Sequence, residues 1–132
     1  MNLEILKIAS NTTNYKRLDG CTHKSKHKNS ICGDEIEVGI KISKNQILDF
    51  AYQCKSCIYC QASASVLSKF SINKTIKSIN ESISFFNIIF ENHNVKIPRK
   101  LKKFEILFKK ENLSRKDCIL LPFKALSKAL KS

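Results

Sequence analysis

Alternating hydrophobic and polar residues in the first half of the chain predict a β-hairpin. From Glu35 to Ile42, apolar residues occupy every second position, with charged residues and one glycine between them. This period of two is typical of a strand with one buried face. The polar segment Ser43–Gln46 predicts a turn, and Ile47–Tyr52 predicts the returning strand of an antiparallel pair.

Farther along the chain, the apolar spacing changes to three and four residues, which predicts helices. Such stripes run through four segments: Ala62–Phe70, Asn73–Asn92, Leu101–Phe108 and Asp117–Leu130. A short amphipathic pattern within residues 1–18 predicts one more helix, whereas the polar, lysine-rich residues 19–31 predict a loop. The order of helix, hairpin and helices indicates an α+β fold, with a small antiparallel sheet packed against several helices.

The length of 132 residues suits a single domain over residues 1–132, since such a chain can bury a substantial core. The longest apolar stretch, Ile83–Phe90, is far shorter than the roughly 20 residues that span a membrane. Residues 1–10 include Glu4 and Lys7 and lack the apolar core of a signal peptide. We therefore expect a cytoplasmic protein with no membrane partner.

The formal net charge of +13 raises the question of a nucleic-acid partner. The lysines are spread over the whole chain, and lysine, isoleucine, asparagine and phenylalanine are abundant together, as AT-rich codons would produce. The densest cluster has no interleaved aromatic residues on which bases could stack: Lys100, Lys102 and Lys103. We expect no nucleic-acid partner, and an acidic protein partner suits the charge better.

Six cysteines, at positions 21, 32, 54, 57, 60 and 118, indicate metal or thiol chemistry in a reducing compartment. Cys32 precedes the predicted hairpin and Cys57 follows it, so the two lie at neighbouring ends of paired strands. Cys118 begins the last predicted helix, where the helix dipole favours a thiolate. Together with Asp34, these three thiols would complete a tetrahedral zinc site.

Other interpretations of the cysteines stay open. The three thiols could instead be small buried hydrophobic side chains. Cys54 and Cys60 flank Cys57 at intervals of three residues, so each is either an alternative ligand or a spectator. Cys21, His23 and His27 could mimic a small metal knuckle, but the loop is lysine-rich and a second cysteine pair is missing, which favours a solvated loop.

Three motifs around these cysteines resemble those of the NifU/IscU-like iron–sulfur scaffold family. They are Ile31-Cys32-Gly33-Asp34, Cys57-Ile58-Tyr59-Cys60-Gln61-Ala62-Ser63-Ala64-Ser65 and Ser114-Arg115-Lys116-Asp117-Cys118-Ile119-Leu120-Leu121. The segment Arg17–His23 also resembles the family's leader, so the likeness covers nearly the whole chain. Arg115, three residues before the last cysteine, and the long stretch between Cys57 and Cys118 are similar to the SufU type. The chain departs from the family's usual glycines before the middle cysteine, where it has Gln53-Cys54-Lys55-Ser56.

The resemblance implies a SufU/IscU-like fold and a role in iron–sulfur cluster assembly. It implies that Cys32, Asp34, Cys57 and Cys118 bind zinc or iron, or hold a nascent [2Fe-2S] cluster. Cys32 would accept persulfide sulfur from a cysteine desulfurase, Arg115 would support the anionic site, and apo iron–sulfur proteins would receive the product. The chain would act as a cluster scaffold, as a zinc-dependent sulfur acceptor, or as both, and not as a stand-alone enzyme. The alternative is a basic protein-interaction module whose zinc site is purely structural.

Overall fold

A computed structural model describes residues 3–30, 33–92 and 96–131 of the chain. In chain order, the elements are α1 (Leu3–Ala9), β1 (His23–Lys28), β2 (Glu35–Ser43), β3 (Gln46–Lys55), α2 (Ile58–Ser71), α3 (Ile76–Glu91) and α4 (Lys116–Leu130). Two 3₁₀ helices, Arg99–Phe104 and Lys110–Arg115, connect α3 to α4. This is the α+β class that the sequence predicts.

The sheet has three antiparallel strands in the order β1–β2–β3. β2 and β3 form the predicted hairpin, in which Glu35 lies opposite Lys55 at the open end. At the closed end, Lys44 and Asn45 have φ angles of 51° and 63°. Positive φ at both central residues is the geometry of a type I′ turn, which matches the twist of the strands it connects.

The prediction of a loop over residues 19–31 is wrong, because His23–Lys28 forms β1 and pairs with β2. This strand contains no apolar residue. Its three lysines face solvent, and the half-buried residues between them face α4, where Ser25 Oγ donates a hydrogen bond to the Ala125 carbonyl. The strand is therefore held by its pairing with β2 and by polar contacts with α4, so no buried apolar stripe marks it in the sequence.

The segment Leu101–Phe108 is not the single α-helix that its apolar residues predict. Arg99–Phe104 is a 3₁₀ helix, and the chain continues through turns to the second 3₁₀ helix, Lys110–Arg115. Three of the four buried residues of this segment recur every three positions, which is the repeat of a 3₁₀ helix: Leu101, Phe104 and Leu107, with Phe108 the fourth.

The other helices lie where the apolar stripes predict them, with shifted ends. α2 begins at Ile58, and α3 begins at Ile76 because Thr75 caps it by accepting a hydrogen bond from the Ser78 N–H (3.1 Å). None of the helices within the described ranges is long and apolar enough to cross a membrane.

An aromatic cluster around Phe86 joins the helices in the core. The Phe86 ring lies 4.5 Å from that of Phe104, 4.9 Å from that of Phe108 and 4.8 Å from that of Phe123, centroid to centroid. All four side chains are buried. Because Phe123 belongs to α4, this cluster fixes α4, which also carries Cys118, against α3 and the first 3₁₀ helix.

Gly39, in the middle of β2, provides the space for the segment that leads into β1. A methyl group at this position would lie 2.7 Å from Cys21 Sγ and 2.9 Å from Leu18 Cδ2. We expect Gly39→Ala to lower the free energy of unfolding in urea by about 1–3 kcal/mol, the usual cost of overpacking. In a Cys21→Ala background the same change should cost less, because the nearest atom is gone. Equal stability of Gly39→Ala and the parent chain would contradict this close approach.

Candidate metal centre

Three potential metal ligands meet at the open end of the hairpin. The carboxylate oxygen of Asp34 and the Sγ atoms of Cys57 and Cys118 all lie within 4.8 Å of one another. Asp34 immediately precedes β2, Cys57 is the N-cap residue of α2, and Cys118 lies in the first turn of α4. The fold therefore brings together three of the four residues that the sequence predicts as ligands. The fourth, Cys32, lies outside the described residues.

The pairing of β2 with β3 places Asp34 beside Cys57. The ladder ends with Glu35 opposite Lys55, so the residues just before β2 and just after β3 meet. At this point the Cys57 backbone N–H donates a hydrogen bond to Asp34 Oδ2 at 3.3 Å. The bond orients the carboxylate at the start of α2, where the helix dipole also favours negative charge.

Two backbone hydrogen bonds shape the turn that leads into Asp34, and Asp34 takes part in one of them. The Asn29 N–H donates to the Asp34 carbonyl at 2.7 Å, and the Gly33 N–H donates to the Asn29 carbonyl at 2.8 Å. Gly33 has a φ of 79°, in the left-handed region that glycine adopts without strain. The glycine of the first cysteine motif thus allows the backbone conformation that leads into Asp34.

The contact between α2 and α4 positions Cys118. Ser63 is fully buried in α2, and its Oγ donates a hydrogen bond to the carbonyl of Ile119 in α4 at 2.6 Å. Four consecutive small residues of α2, Ala62–Ser65, are buried, which lets neighbouring elements approach its backbone closely. The alanine–serine run of the second motif therefore packs α2 against its neighbours next to the site. The sequence alone does not reveal that Ser63 bonds to α4.

Burial and the two neighbouring ligands, Cys57 and Asp34, suppress the ionisation of Cys118. Burial raises the pKa of the Cys118 thiol, and its hydrogen bonds and charge interactions with Cys57 and Asp34 raise it further. Fully ionised, the three side chains would carry three negative charges within a few ångströms. A bound cation would offset this repulsion and stabilise the thiolates, which is the electrostatic condition for a metal site.

Arg115 lies beside the segment that carries Cys57. Its guanidinium carbon is 5.4 Å from the centroid of the Tyr59 ring, a cation–π contact. The Arg115 side chain is exposed, and it forms no ion pair with the residues that the structure describes. Tyr59, two residues after Cys57 in the sequence, therefore holds Arg115 beside the segment that carries Cys57. No pattern in the sequence singles out Tyr59 for this contact. A direct role of Arg115 at the site stays a prediction.

Comparison with known proteins agrees with this geometry. The family model of the NifU-like N terminal domain matches residues 2–131. The chain belongs to this family. The resemblance inferred from the three cysteine motifs is thereby confirmed for the NifU-like domain.

Relatives of this NifU-like domain cover all or nearly all of its length. An uncharacterized protein of Borreliella burgdorferi is 33% identical over 133 residues, which is 100% of this chain and 83% of that protein. The iron–sulfur cluster assembly scaffold protein IscU of Thermotoga maritima is 29% identical over 128 residues, covering 96% of this chain and 89% of that protein.

Solved structures confirm the SufU/IscU-like fold of the NifU-like domain. FiSufU of Fervidobacterium islandicum AW-1, assigned to the SUF system as an iron–sulfur cluster assembly scaffold, superposes with a TM-score of 0.89 at 22% identity, covering 98% of this chain and 96% of that one. The N-terminal part of a nitrogen-fixing NifU-like protein from Brucella abortus gives 0.83 at 24% identity, covering 98% and 91%. At these identities the likeness establishes the shared fold.

The two cysteines that flank Cys57 differ in their surroundings. Cys60 is fully buried in the core of the NifU-like domain, and burial raises the pKa of its thiol. Cys54 is partly exposed, and burial together with the charges of Asp34 and Cys57 raises the pKa of its thiol. Neither sulfur belongs to the group of three ligand atoms. Cys60 is therefore a core residue, whereas Cys54 is a partly exposed residue near the end of β3.

Proposed function

We propose that this NifU-like domain, acting as a single cytoplasmic domain, is an iron–sulfur cluster assembly scaffold whose site comprises Cys32, Asp34, Cys57 and Cys118. The observation that carries the proposal is the convergence of the Asp34 carboxylate with the Cys57 and Cys118 sulfurs within 4.8 Å. The family, and relatives described as cluster assembly scaffolds, support the same function.

The donor set fits zinc or iron. Thiolates are the preferred ligands of zinc and of iron–sulfur clusters, and a carboxylate is a harder ligand that binds these metals less firmly. Asp34 and Cys57 are half-buried and Cys118 is buried, so the site is anchored on α4 and accessible from the hairpin side. A mixed, partly accessible ligand set suits a protein that must release the cluster it assembles.

Sulfur would enter this site from a cysteine desulfurase. In the proposed step, the Cys32 thiolate attacks the outer sulfur of the persulfide on the enzyme. The sulfur–sulfur bond of that persulfide breaks, the enzyme's cysteine leaves as a thiolate, and Cys32 becomes the persulfide. Arg115, held by Tyr59 near the segment that carries Cys57, would stabilise the attacking Cys32 thiolate and the persulfide anion that it becomes.

Anaerobic reconstitution with ferrous iron, cysteine and a cysteine desulfurase tests this proposal. A scaffold should acquire a visible-absorbing cluster and pass it to an apo-ferredoxin. A zinc-dependent sulfur acceptor should instead purify with zinc and increase the turnover of the desulfurase. If the zinc were purely structural, chelation would unfold the domain and Asp34→Ala would leave sulfur transfer unchanged.

The desulfurase and the apo-acceptors would approach over a basic cleft beside the site. This cleft of about 250 Å³ lies between the end of β1 and α4, and Lys28 and Lys124 contribute to its lining. Burial and the charges of Lys124 and Lys128 lower the pKa of His27, which also lines the cleft. Asp117, the neighbour of Cys118, is the acidic residue among the described lining residues. An acidic surface on the partner protein would therefore be electrostatically complementary to this cleft.

We expect the charge reversal Lys28→Glu/Lys124→Glu to slow association with the desulfurase about tenfold at low salt, and less at high salt, because steering is electrostatic. Stopped-flow binding over a range of salt concentrations measures this effect. Lys44→Glu/Lys77→Glu is the matched control: it changes the net charge equally, but Lys44 lies at the opposite end of the hairpin. Equal slowing by both pairs would show that net charge alone matters.

A further inference from the structure

We propose that Cys54 is a reserve sulfur ligand that can replace Asp34 at the metal centre. The inference rests on the proposed function, because it requires that Asp34, Cys57 and Cys118 hold a metal ion. It concerns a position where the sequence departs from the glycines usual in the family, so the additional thiol is a property of this chain.

Cys54 lies on the same face of the hairpin as Asp34. Cys54 is opposite Ile36 in the β2–β3 register, and Asp34 precedes Ile36 by two residues, the spacing that returns to the same face of a strand. Asp34 and Cys54 are thus diagonal neighbours, a relation in which residues lie about 7–8 Å apart. Both groups lie on the α2 side: Cys54 packs against the core, and Asp34 accepts from the Cys57 N–H.

The electrostatic contacts of Cys54 agree with this placement. The charges of both Asp34 and Cys57 act on its thiol, as they also act on the thiol of Cys60, so accessibility and not charge distinguishes the two cysteines. Its sulfur is outside the group of three ligand atoms that lie within 4.8 Å of one another, so binding requires a rotation of the side chain and a small shift of the strand end. Cys54 is a free thiol and is partly exposed, so neither a disulfide nor complete burial prevents this movement.

Cys60 provides the contrast. It lies three residues after Cys57, as Cys54 lies three residues before it, but its side chain is fully buried in α2. Rotation of Cys60 toward the metal would expose a core position and leave a cavity. The chain therefore contains two cysteines with the same spacing to Cys57, and their surroundings favour ligand exchange at Cys54.

The exchange needs no oxidant or reductant. With a metal held at the site, the bond between the metal and the Asp34 carboxylate would break, and the Cys54 sulfur would take its place. The thiol proton of Cys54 passes to the released carboxylate or to water. Because zinc and ferrous iron bind thiolate more firmly than carboxylate, the exchange would convert a labile mixed site into a tighter all-sulfur site.

Titration with Co²⁺ tests this proposal, because sulfur-to-cobalt charge-transfer absorption increases with each thiolate ligand. In Asp34→Ala we expect this absorption to be stronger than in the wild-type chain, by the amount that one additional thiolate ligand contributes. Asp34→Ala/Cys54→Ser should lose this increase and bind Co²⁺ about 100-fold more weakly than Asp34→Ala. Asp34→Ala/Cys60→Ser, the matched control, should keep the spectrum and the affinity of Asp34→Ala.

Identical spectra and affinities for Asp34→Ala and Asp34→Ala/Cys54→Ser would overturn the inference while leaving the metal centre intact. Failure of the wild-type chain to bind Co²⁺ would overturn the proposed centre as well. A second measurement does not depend on the folding of a double variant. Cys54 is alkylated with iodoacetamide, and the extent of modification is determined by peptide mass spectrometry. Metal should protect Cys54 in Asp34→Ala, and equal reactivity with and without metal would contradict the proposal.

Discussion

Cys57→Ala is expected to lower the affinity for zinc about 100-fold, whereas Cys60→Ala leaves that affinity unchanged. Four-ligand structural zinc sites contribute roughly 10–16 kcal/mol, so one ligand corresponds to about 3 kcal/mol. The Cys57 sulfur lies within 4.8 Å of both the Asp34 carboxylate and the Cys118 sulfur. The Cys60 sulfur is outside that group, on a fully buried side chain. Competition with a chromogenic chelator measures the affinity of each variant.

The free energy of unfolding of the metal-free domain should show the reverse order, with the larger loss in Cys60→Ala. Cys60→Ala removes a sulfur from a side chain with 0% exposure, so the metal-free domain should lose about 1 kcal/mol of unfolding free energy. Cys57→Ala, at a half-buried N-cap position without a side-chain capping bond, should change that value by less. Equal loss of zinc affinity in both variants would contradict the assignment of Cys57 as a ligand.

Phe86→Ala is expected to lower the free energy of unfolding of the metal-free domain by about 3–5 kcal/mol, the range for deletion of a buried aromatic ring. The ring has 0% exposure and contacts three other phenylalanines, so its removal leaves a cavity between α3 and α4. Urea denaturation followed by circular dichroism measures the change.

Ile88→Ala is the control for this substitution, because it lies in the same helix and is 49% exposed. It should change the free energy of unfolding by less than about 0.5 kcal/mol. A loss for Phe86→Ala no larger than that for Ile88→Ala would show that the aromatic cluster does not hold α4. Since α4 carries Cys118, such a result would also remove the structural basis for the position of that ligand.

The hairpin and the long helices were predictable because the spacing of their apolar residues shows which face of each element is buried. Ile36, Val38 and Ile40 alternate with Glu37 and Gly39 and are all buried in β2. β1 was missed because its stability comes from pairing and from α4, which a polar sequence such as His23–Lys28 does not reveal. The sequence wrongly predicts an α-helix for the 3₁₀ segment because apolar spacings of three occur in both helix types.

The ligand set was predictable in part because cysteine motifs are rare and specific. Asp34 and Cys57 could be placed together from the hairpin alone, since strand pairing joins their positions. The hydrogen bond from Ser63 to Ile119 and the contact of Arg115 with Tyr59 depend on how α2 meets α4. Such contacts between segments distant in sequence depend on tertiary packing, which local patterns do not encode.

X-ray absorption at the zinc edge of the zinc-loaded chain tests the central claim most directly, because it counts the atoms bound to the metal. The site of Cys32, Asp34, Cys57 and Cys118 predicts three sulfurs at about 2.3 Å and one oxygen at about 2.0–2.2 Å. Cys118→Ala should remove one sulfur from the metal. A metal coordinated only by nitrogen and oxygen, or an unchanged sulfur count in Cys118→Ala, would contradict the account.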